Sequence, residues 1–340
     1  SVTSIGDHAF YGCKNLKSVN FSNNLTSIGN HAFRDTAIEQ ITIPATVTSI
    51  GNLAFYSETL KEVTFANGTT IIGGSRIFST SPNLKKITIP NTVGLINEDA
   101  FDGCSALENV YYGGTVTDWA TKITFTNEKS NPMYYANNIY FNNELMTELE
   151  LPSSITKINS YAFYNCDSIS DLQLPEGCKQ LGEYAFAECS NLTQVTISDT
   201  LEEIPDYAFK NCKKLEKVII PASVSSISMD AFVGCTSLSD VVVDNNNEIY
   251  SNDEYGVLFN KDKTKLIQYP AGGTQTSYTI PDGVTTIGEN AFNFATNLES
   301  VTIPASVTTL GKDALKGNDY NLVLYYNGTE EQWKQLLSNN

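Results

Sequence analysis

Two histidines, two tryptophans and 21 basic residues are all that this chain of 340 residues offers of those types. Each scarcity excludes something. The only histidines are His8 and His31, which occupy the same place in a pattern described below, and no Ser-His-Asp or Cys-His constellation can be assembled without others. The 21 Lys+Arg stand against 38 Asp+Glu, a net charge of −17, which disfavours nucleic acid, whose phosphates need a basic face. The same balance disfavours docking on anionic membranes. No apolar run approaches the ~20 residues of a membrane helix. There is no G-x-x-x-x-G-K-[ST] phosphate loop and no G-x-G-x-x-G after a strand. The chain has seven cysteines but no C-x-x-C pair, so tetrahedral zinc ligation has no starting point.

What is present is one repeated unit. Its anchor is Ala-Phe, with phenylalanines at Phe10, Phe33, Phe55, Phe101, Phe163, Phe186, Phe209, Phe232 and Phe292, and Phe78 standing in where the alanine is replaced. Self-similarity at a period of 20–30 residues predicts a solenoid in which each coil contacts only its neighbours. Residues 215–237 show the unit in full: Leu215, Val218 and Ile220 have the spacing of a short strand with one buried face, and Pro221 ends it. Val224 and Ile227 form a second short apolar pair. The strand triplet recurs from Leu16, Val19 and Phe21 onward. Glycines such as Gly29, Gly51 and Gly311 often follow the second pair, where a positive φ is expected.

Placed on this unit, the cysteines lose their appearance of a framework. Cys13, Cys104, Cys166, Cys189, Cys212 and Cys235 each follow the anchor by three residues, and Cys178 replaces a core Val or Ile. They are expected to be buried thiols behaving as small hydrophobes. His8 and His31 share the position before Ala-Phe with Leu53, Tyr161 and Tyr207, which marks a packing slot. No metal or cofactor site follows from these residues. The run Asp244 to Glu248 with Asp253 and Glu254 could offer oxygens to calcium, but it lacks the order of a calcium loop; an Asn-rich turn is the better expectation.

The consensus L-x-x-V-x-I-P-x-x-V-x-x-I-G-x-x-A-F-x-x-C resembles the BspA-type leucine-rich repeat and covers most of the chain. The resemblance implies a mostly β, right-handed leucine-rich-repeat solenoid with stacked parallel short strands and few short helices. It also implies a bacterial cell-surface or secreted protein, extracellular in location, and an adhesin-like binding role. The family supplies no catalytic residues, cofactor or metal, so none is carried over and no enzymatic activity is expected. The expected partner is a protein or glycan on host matrix or a cell surface, with no nucleic acid and no membrane insertion by this segment. The alternative is a structural spacer that presents another domain.

The organisation expected is a single solenoid over 1–340 with two insertions and an end helix. Residues 111–146 are Tyr-rich with a short helix, and 244–277 form a hairpin with its turn at Lys261-Asp262-Lys263. A capping helix is expected at about 329–338, because Tyr325-Tyr326-Asn327-Gly328-Thr329 and Trp333 repeat Tyr111-Tyr112-Gly113-Gly114-Thr115 and Trp119. That internal copy raises the expectation of a break in the stack near 115–145. The first residues enter in mid-repeat, so a truncated N-terminus is expected. Tyrosine offers a large rigid ring with a polar tip, so the candidate binding residues are Tyr111, Tyr112, Tyr134, Tyr135 and Tyr140 in the first insertion. Tyr250, Tyr255 and Tyr269 are the candidates around the second. The competing reading is that these rings pack the insertions onto the coils.

Overall fold

The computed structural model describes residues 1–316, 318 and 322–338. The chain divides into two compact units, one of residues 1–168 with 184–186, the other of 169–183 with 187–340. Each is a solenoid of short, mostly parallel strands.

In the first unit the strands Gln40–Ile43, Glu62–Phe65, Lys86–Ile89, Asn109–Tyr112 and Asn138–Phe141 pair in sequence order, all parallel. Their register is one coil per step, so Gln40 faces Glu62, Lys86, Asn109 and Asn138 in turn. Residues at one strand position therefore form a row. The inward row Ile43, Phe65, Ile89, Tyr112, Phe141 is buried, and the outward row Thr42, Thr64, Thr88, Tyr111, Tyr140 is not. Residues 111–146 leave this sheet after Tyr112 and return to it: Asn138–Phe141 extends it, and the hairpin to Glu144–Leu145 closes its edge antiparallel. A second row of two-residue strands runs along the other side, such as Ile71–Ile72, Leu95–Ile96 and Thr124–Phe125. The first strand expected from the pattern, at Leu16, Val19 and Phe21, does not form: 16–21 carries no strand.

The second unit repeats the scheme with Asp171–Gln173, Gln194–Thr196, Lys217–Ile220 and Asp240–Val243. After them Tyr250–Asn252, Leu258–Asn260 and Lys265–Gln268 form an antiparallel meander, whose last strand pairs in parallel with Thr286–Ile287. Among the described residues two α-helices occur, α1 at Val116–Lys122 and α2 at Glu330–Ser338. Both start at a threonine with reciprocal capping. Thr115 Oγ1 accepts from Asp118 N while Thr115 N donates to the Asp118 carboxylate, and Thr329 with Gln332 repeats the exchange.

The anchor rings make the core continuous. Phe10, Phe33, Phe55, Phe78 and Phe101 stack at 5.1, 5.4, 6.0 and 5.8 Å between ring centroids. Each is held by a coil-to-coil bond, as from Phe33 N to Ala54 O (2.8 Å) and from Phe55 N to Ile77 O (3.2 Å). The residue two before the anchor, counting Phe78 and Leu315 among the anchors, has φ between 53 and 62° in His8, His31, Leu53, Arg76, Asp99, Tyr161, Tyr184, Tyr207, Asn290 and Asp313. Left-handed backbone costs a non-glycine residue on the order of 1 kcal/mol or more. It is offset here by the ladder, since His8 N donates to Asn30 O and His31 N to Asn52 O, both at 2.9 Å. This geometry turns the side chain outward. His8 and His31 are thus stacked on each other at 4.9 Å outside the core, and the packing in that slot is between neighbouring outer side chains.

The glycines serve a purpose other than the expected positive φ. Gly29, Gly51 and Gly311 are not left-handed; a Cβ on Gly29 would lie 2.5 Å from Asp7 N, and one on Gly51 2.4 Å from Asn30 N. They are small because the adjacent coil's backbone passes there. Six cysteines are buried, and burial pushes the Cys104 thiol up to about 12. Cys13 departs from expectation: it lies on the outermost coil, where Phe10 is 37% exposed, and is itself exposed.

Two outcomes follow. Phe101→Ala removes a fully buried ring and should cost about 3–5 kcal/mol in urea-induced unfolding, whereas Phe10→Ala should cost far less. A thiol-specific chromogenic reagent at pH 8 should react rapidly with one of the seven cysteines in the native chain and with all seven in guanidinium. Several fast thiols in the native protein would contradict the packing of the cysteine row.

Candidate binding surface

The eight tyrosines singled out from the sequence lie in four different environments. Tyr112 and Tyr269 are each 1% exposed and are core residues. Register explains both. Tyr112 falls in the inward row opposite Ile89 and Phe141. Tyr269 takes the place of an anchor phenylalanine: its N donates to Ala291 O (2.7 Å) and its ring stacks on Phe292 at 5.4 Å. Burial pushes the Tyr269 phenol up to about 12. Neither ring can meet a partner, so these two are removed from the candidate set.

Tyr111 and Tyr140 stand on the outward face of the first unit's sheet, stacked at 4.3 Å with 8° between ring planes. Lys86 Nζ lies 5.0 Å from the Tyr111 centroid, and Tyr140 Oη donates to Asn109 Oδ1 (3.4 Å). The ring faces are used within the chain. Tyr250 ties the second unit's meander to its coils: its Oη accepts from Ile227 N at 3.0 Å. Tyr255 is 42% exposed and edge-on to Tyr278 at 6.0 Å. Tyr278 in turn donates to Asp253 Oδ2 (2.7 Å), and Asp253 Oδ1 accepts from Tyr255 N and Val257 N. The acidic-polar run is similarly committed. Asn247 is buried and donates to Pro221 O and Val224 O, while Lys261 Nζ sits against Asn245 O and Asn247 O. Those oxygens surround an ammonium group of the chain itself.

Tyr134 and Tyr135 are different, because other tyrosines join them. The segment Thr126 to Asn137 replaces the Ala-Phe turn with two single-turn helices, Glu128–Ser130 and Pro132–Tyr134. Asn127 and Asn131 cap them, and Pro132 takes the first helical position, where its missing N–H costs nothing. Buried Asn131 fixes the segment in two directions. Its Oδ1 accepts from Met133 N (2.9 Å) and its Nδ2 donates to Tyr161 O (2.7 Å) in the following coil. Asn165 Nδ2 returns a bond to Met133 O (2.9 Å), and Trp119 Nε1 donates to Ala162 O (2.6 Å).

This lock sets Tyr134 parallel to Tyr164 at 5.7 Å and edge-on to Tyr135 at 4.7 Å. Tyr161 lies 6.3 Å from Tyr164 and is stacked on Tyr184 at 4.9 Å. Five half-buried tyrosines thus form one patch on the Ala-Phe edge of the first unit. Beside it Lys129 pairs with Asp102 (2.8 Å), and Tyr135 Oη accepts from Gly103 N (2.9 Å). Burial, the largest influence, raises the Tyr135 phenol above its usual range, so the ring stays neutral and able to donate. Tyr161, Tyr164 and Tyr184 were missed by sequence reasoning. Their signal was positional: they sit immediately before Ala-Phe or immediately after the anchor, where the left-handed turn directs side chains outward.

The BspA type leucine rich repeat region matches in six copies, over residues 1–127, 135–255 and 271–327. The chain belongs to this family of repeat proteins. The solved structures it resembles include a leucine-rich repeat protein from Bacteroides ovatus, at 24% identity and TM-score 0.52 over 96% of this chain and 75% of that one. Another is the pneumococcal vaccine antigen PcpA, at 22% identity and TM-score 0.50 over 92% of this chain and 68% of that one. A leucine rich cell surface protein from Faecalibacterium prausnitzii aligns at 22% identity and TM-score 0.49 over 98% of this chain and 86% of that one. The first two of these likenesses show the fold. No curated protein matches the chain. Among the described residues no helix is long and apolar enough to cross a membrane. The repeat match omits 128–134, 256–270 and 328–340: the capped segment carrying Tyr134, the last two strands of the meander, and the stretch that holds α2.

Asn131→Ala should destabilise the chain by about 1–3 kcal/mol, because it leaves Tyr161 O and Met133 N without their partner. It should also broaden the aromatic proton signals of Tyr134 and Tyr135 while leaving those of Tyr111 and Tyr140 unchanged. Unaltered Tyr134 signals would show that Asn131 does not position the patch.

Proposed function

We propose that this chain is a non-enzymatic binding module of a bacterial cell-surface or secreted protein, adhesin-like in action. It recognises a protein or glycan on a host matrix or a neighbouring cell. The observation that carries the reading is the patch of Tyr134, Tyr135, Tyr161, Tyr164 and Tyr184, in which Tyr134 comes from a segment that the family repeat leaves unmatched and the other four from the repeats beside it. A repeat builds a scaffold, and departures from it that the scaffold holds rigidly are where recognition is acquired. Tyrosine loses little conformational entropy on binding and combines apolar area with a hydroxyl. In this patch ring faces are spent in stacking on one another, as in Tyr134 on Tyr164 and Tyr161 on Tyr184. That presentation suits a protein surface better than a sugar ring.

The spacer reading has its own support in the strand faces. Lys61 pairs with Glu39 (2.9 Å), Lys86 with Glu62 (3.7 Å) and Lys217 with Asp240 (3.0 Å), each across one coil step. Such exposed pairs are worth about 0–1 kcal/mol each, and they leave the charges on that face satisfied. The binding reading therefore rests on the tyrosine edge and not on these charged strand positions.

The test is an array of matrix proteins and cell-surface glycans probed with the intact chain and with a Tyr134→Ala, Tyr161→Ala, Tyr164→Ala variant. Binding should fall at least about tenfold in the variant, equivalent to losing a modest hot spot of about 1.4 kcal/mol. A hit that the variant retains would move recognition off this edge. No hit at all, with the fold intact by circular dichroism, would favour the spacer.

A further inference from the structure

The strand row of the first unit parts at one place. Val19 stands to Ile41 as Ile41 stands to Val63, one coil apart, yet Gln40–Ile43 pairs only with Glu62–Phe65 and has no strand on its other edge. Ala37 N still bonds Leu16 O at 3.0 Å, so the two coils are joined there and separate beyond it. The separation opens a cleft of about 670 Å³, within the range of about 300–1,000 Å³ usual for small-ligand sites.

The lining of the cleft has two characters. Its floor is apolar, from Val19, Phe21, Ile41 and Pro44, with Phe21 half-exposed and edge-on to Phe33 at 5.6 Å. Its rim carries Asn20, Asn23, Gln40, Thr42 and Thr64. The side chains of these five make no hydrogen bond to any described residue, unlike the paired face positions farther along the sheet. Three amides and two hydroxyls therefore point donors and acceptors at one space. No basic residue lines it, and its one acid, Glu62, already faces Lys86.

We propose that this cleft binds a neutral oligosaccharide. A sugar offers vicinal hydroxyls that both donate and accept, which matches side-chain amides, and an apolar C–H face, which matches the Phe21 floor. Anionic sugars would meet no cation and a net acidic chain, so they are excluded as ligands. An extended peptide would use the open edge of Gln40–Ile43, but would leave the five rim side chains largely unserved. The site is separate from the tyrosine edge and does not depend on it.

The test titrates the ¹⁵N-labelled chain with linear hexasaccharides of glucose (β-1,4 and α-1,4), xylose, mannose and N-acetylglucosamine. Hexagalacturonate and a library of ten-residue peptides serve as comparators. At least one neutral series should shift the side-chain amide signals of Asn20, Asn23 and Gln40 saturably. Asn20→Ala with Gln40→Ala should weaken that binding at least about tenfold, and Thr42→Trp, which fills the cleft, should abolish it. Tyr134→Ala with Tyr164→Ala should leave it unchanged, so failure here and failure of the tyrosine edge are read separately. The proposal is overturned if no neutral series shifts these signals, if hexagalacturonate or peptides bind in their place, or if the cleft variants bind like the parent chain.

Discussion

Everything in this molecule is subordinate to the distance between one coil and the next. Parallel strands pair at about 4.8 Å, and that spacing is imposed on every residue in the coil, not only on those in strands. It brings anchor rings to 5.1–6.0 Å in the first five coils, close to the offset stacking that aromatic pairs prefer. It leaves no room for a Cβ at Gly29 or Gly51. It also lets the amides of His8, His31, Arg76 and Asn290 reach the carbonyl of the next coil, which helps hold these residues at φ of 54–60° against their preference.

The same constraint explains which parts of the structure were legible beforehand. Apolar spacing around Leu215, Val218 and Ile220 specifies a strand with one buried face, and the 22–23-residue period specifies stacking; both are local signals repeated many times. Register is not local. Tyr112 and Tyr111 are adjacent in sequence and equally aromatic, yet one is core and the other outward, because the strand alternates and only its pairing says which way. Tyr269 looked like part of an insertion, and only its bond to Ala291 O reveals it as an anchor in disguise. The glycines were misread for a related reason. A positive φ is a property of one residue, whereas the close approach at Gly51 belongs to two coils.

The tyrosine edge combines one legible component with one hidden one. Tyr134 and Tyr135 stand out as a pair in a non-repeating segment, and composition suffices to notice them. Tyr161, Tyr164 and Tyr184 belong to the repeat and were camouflaged by it. They become part of one surface through Asn131 and Asn165, two amides whose partners are backbone carbonyls about 30 residues away. Such cross-coil bonds cannot be inferred from residue type.

The left-handed residue before Ala-Phe has a consequence for how surfaces on this scaffold can change. Its backbone is set by the ladder and its side chain by the handedness of the turn, so identity there is decoupled from folding: histidine, leucine, arginine, aspartate, asparagine and tyrosine all occupy it with φ within a 10° band. Each coil therefore contributes one interchangeable tooth to an outer comb, with neighbouring teeth close enough to stack, as His8 does on His31 and Tyr161 on Tyr184. Duplicating or reshuffling coils rewrites the comb one tooth per coil without disturbing the core beneath. A chain built in this way can change what it displays by exchanging whole coils, because the displayed side chain is not the one that holds the coil in the stack.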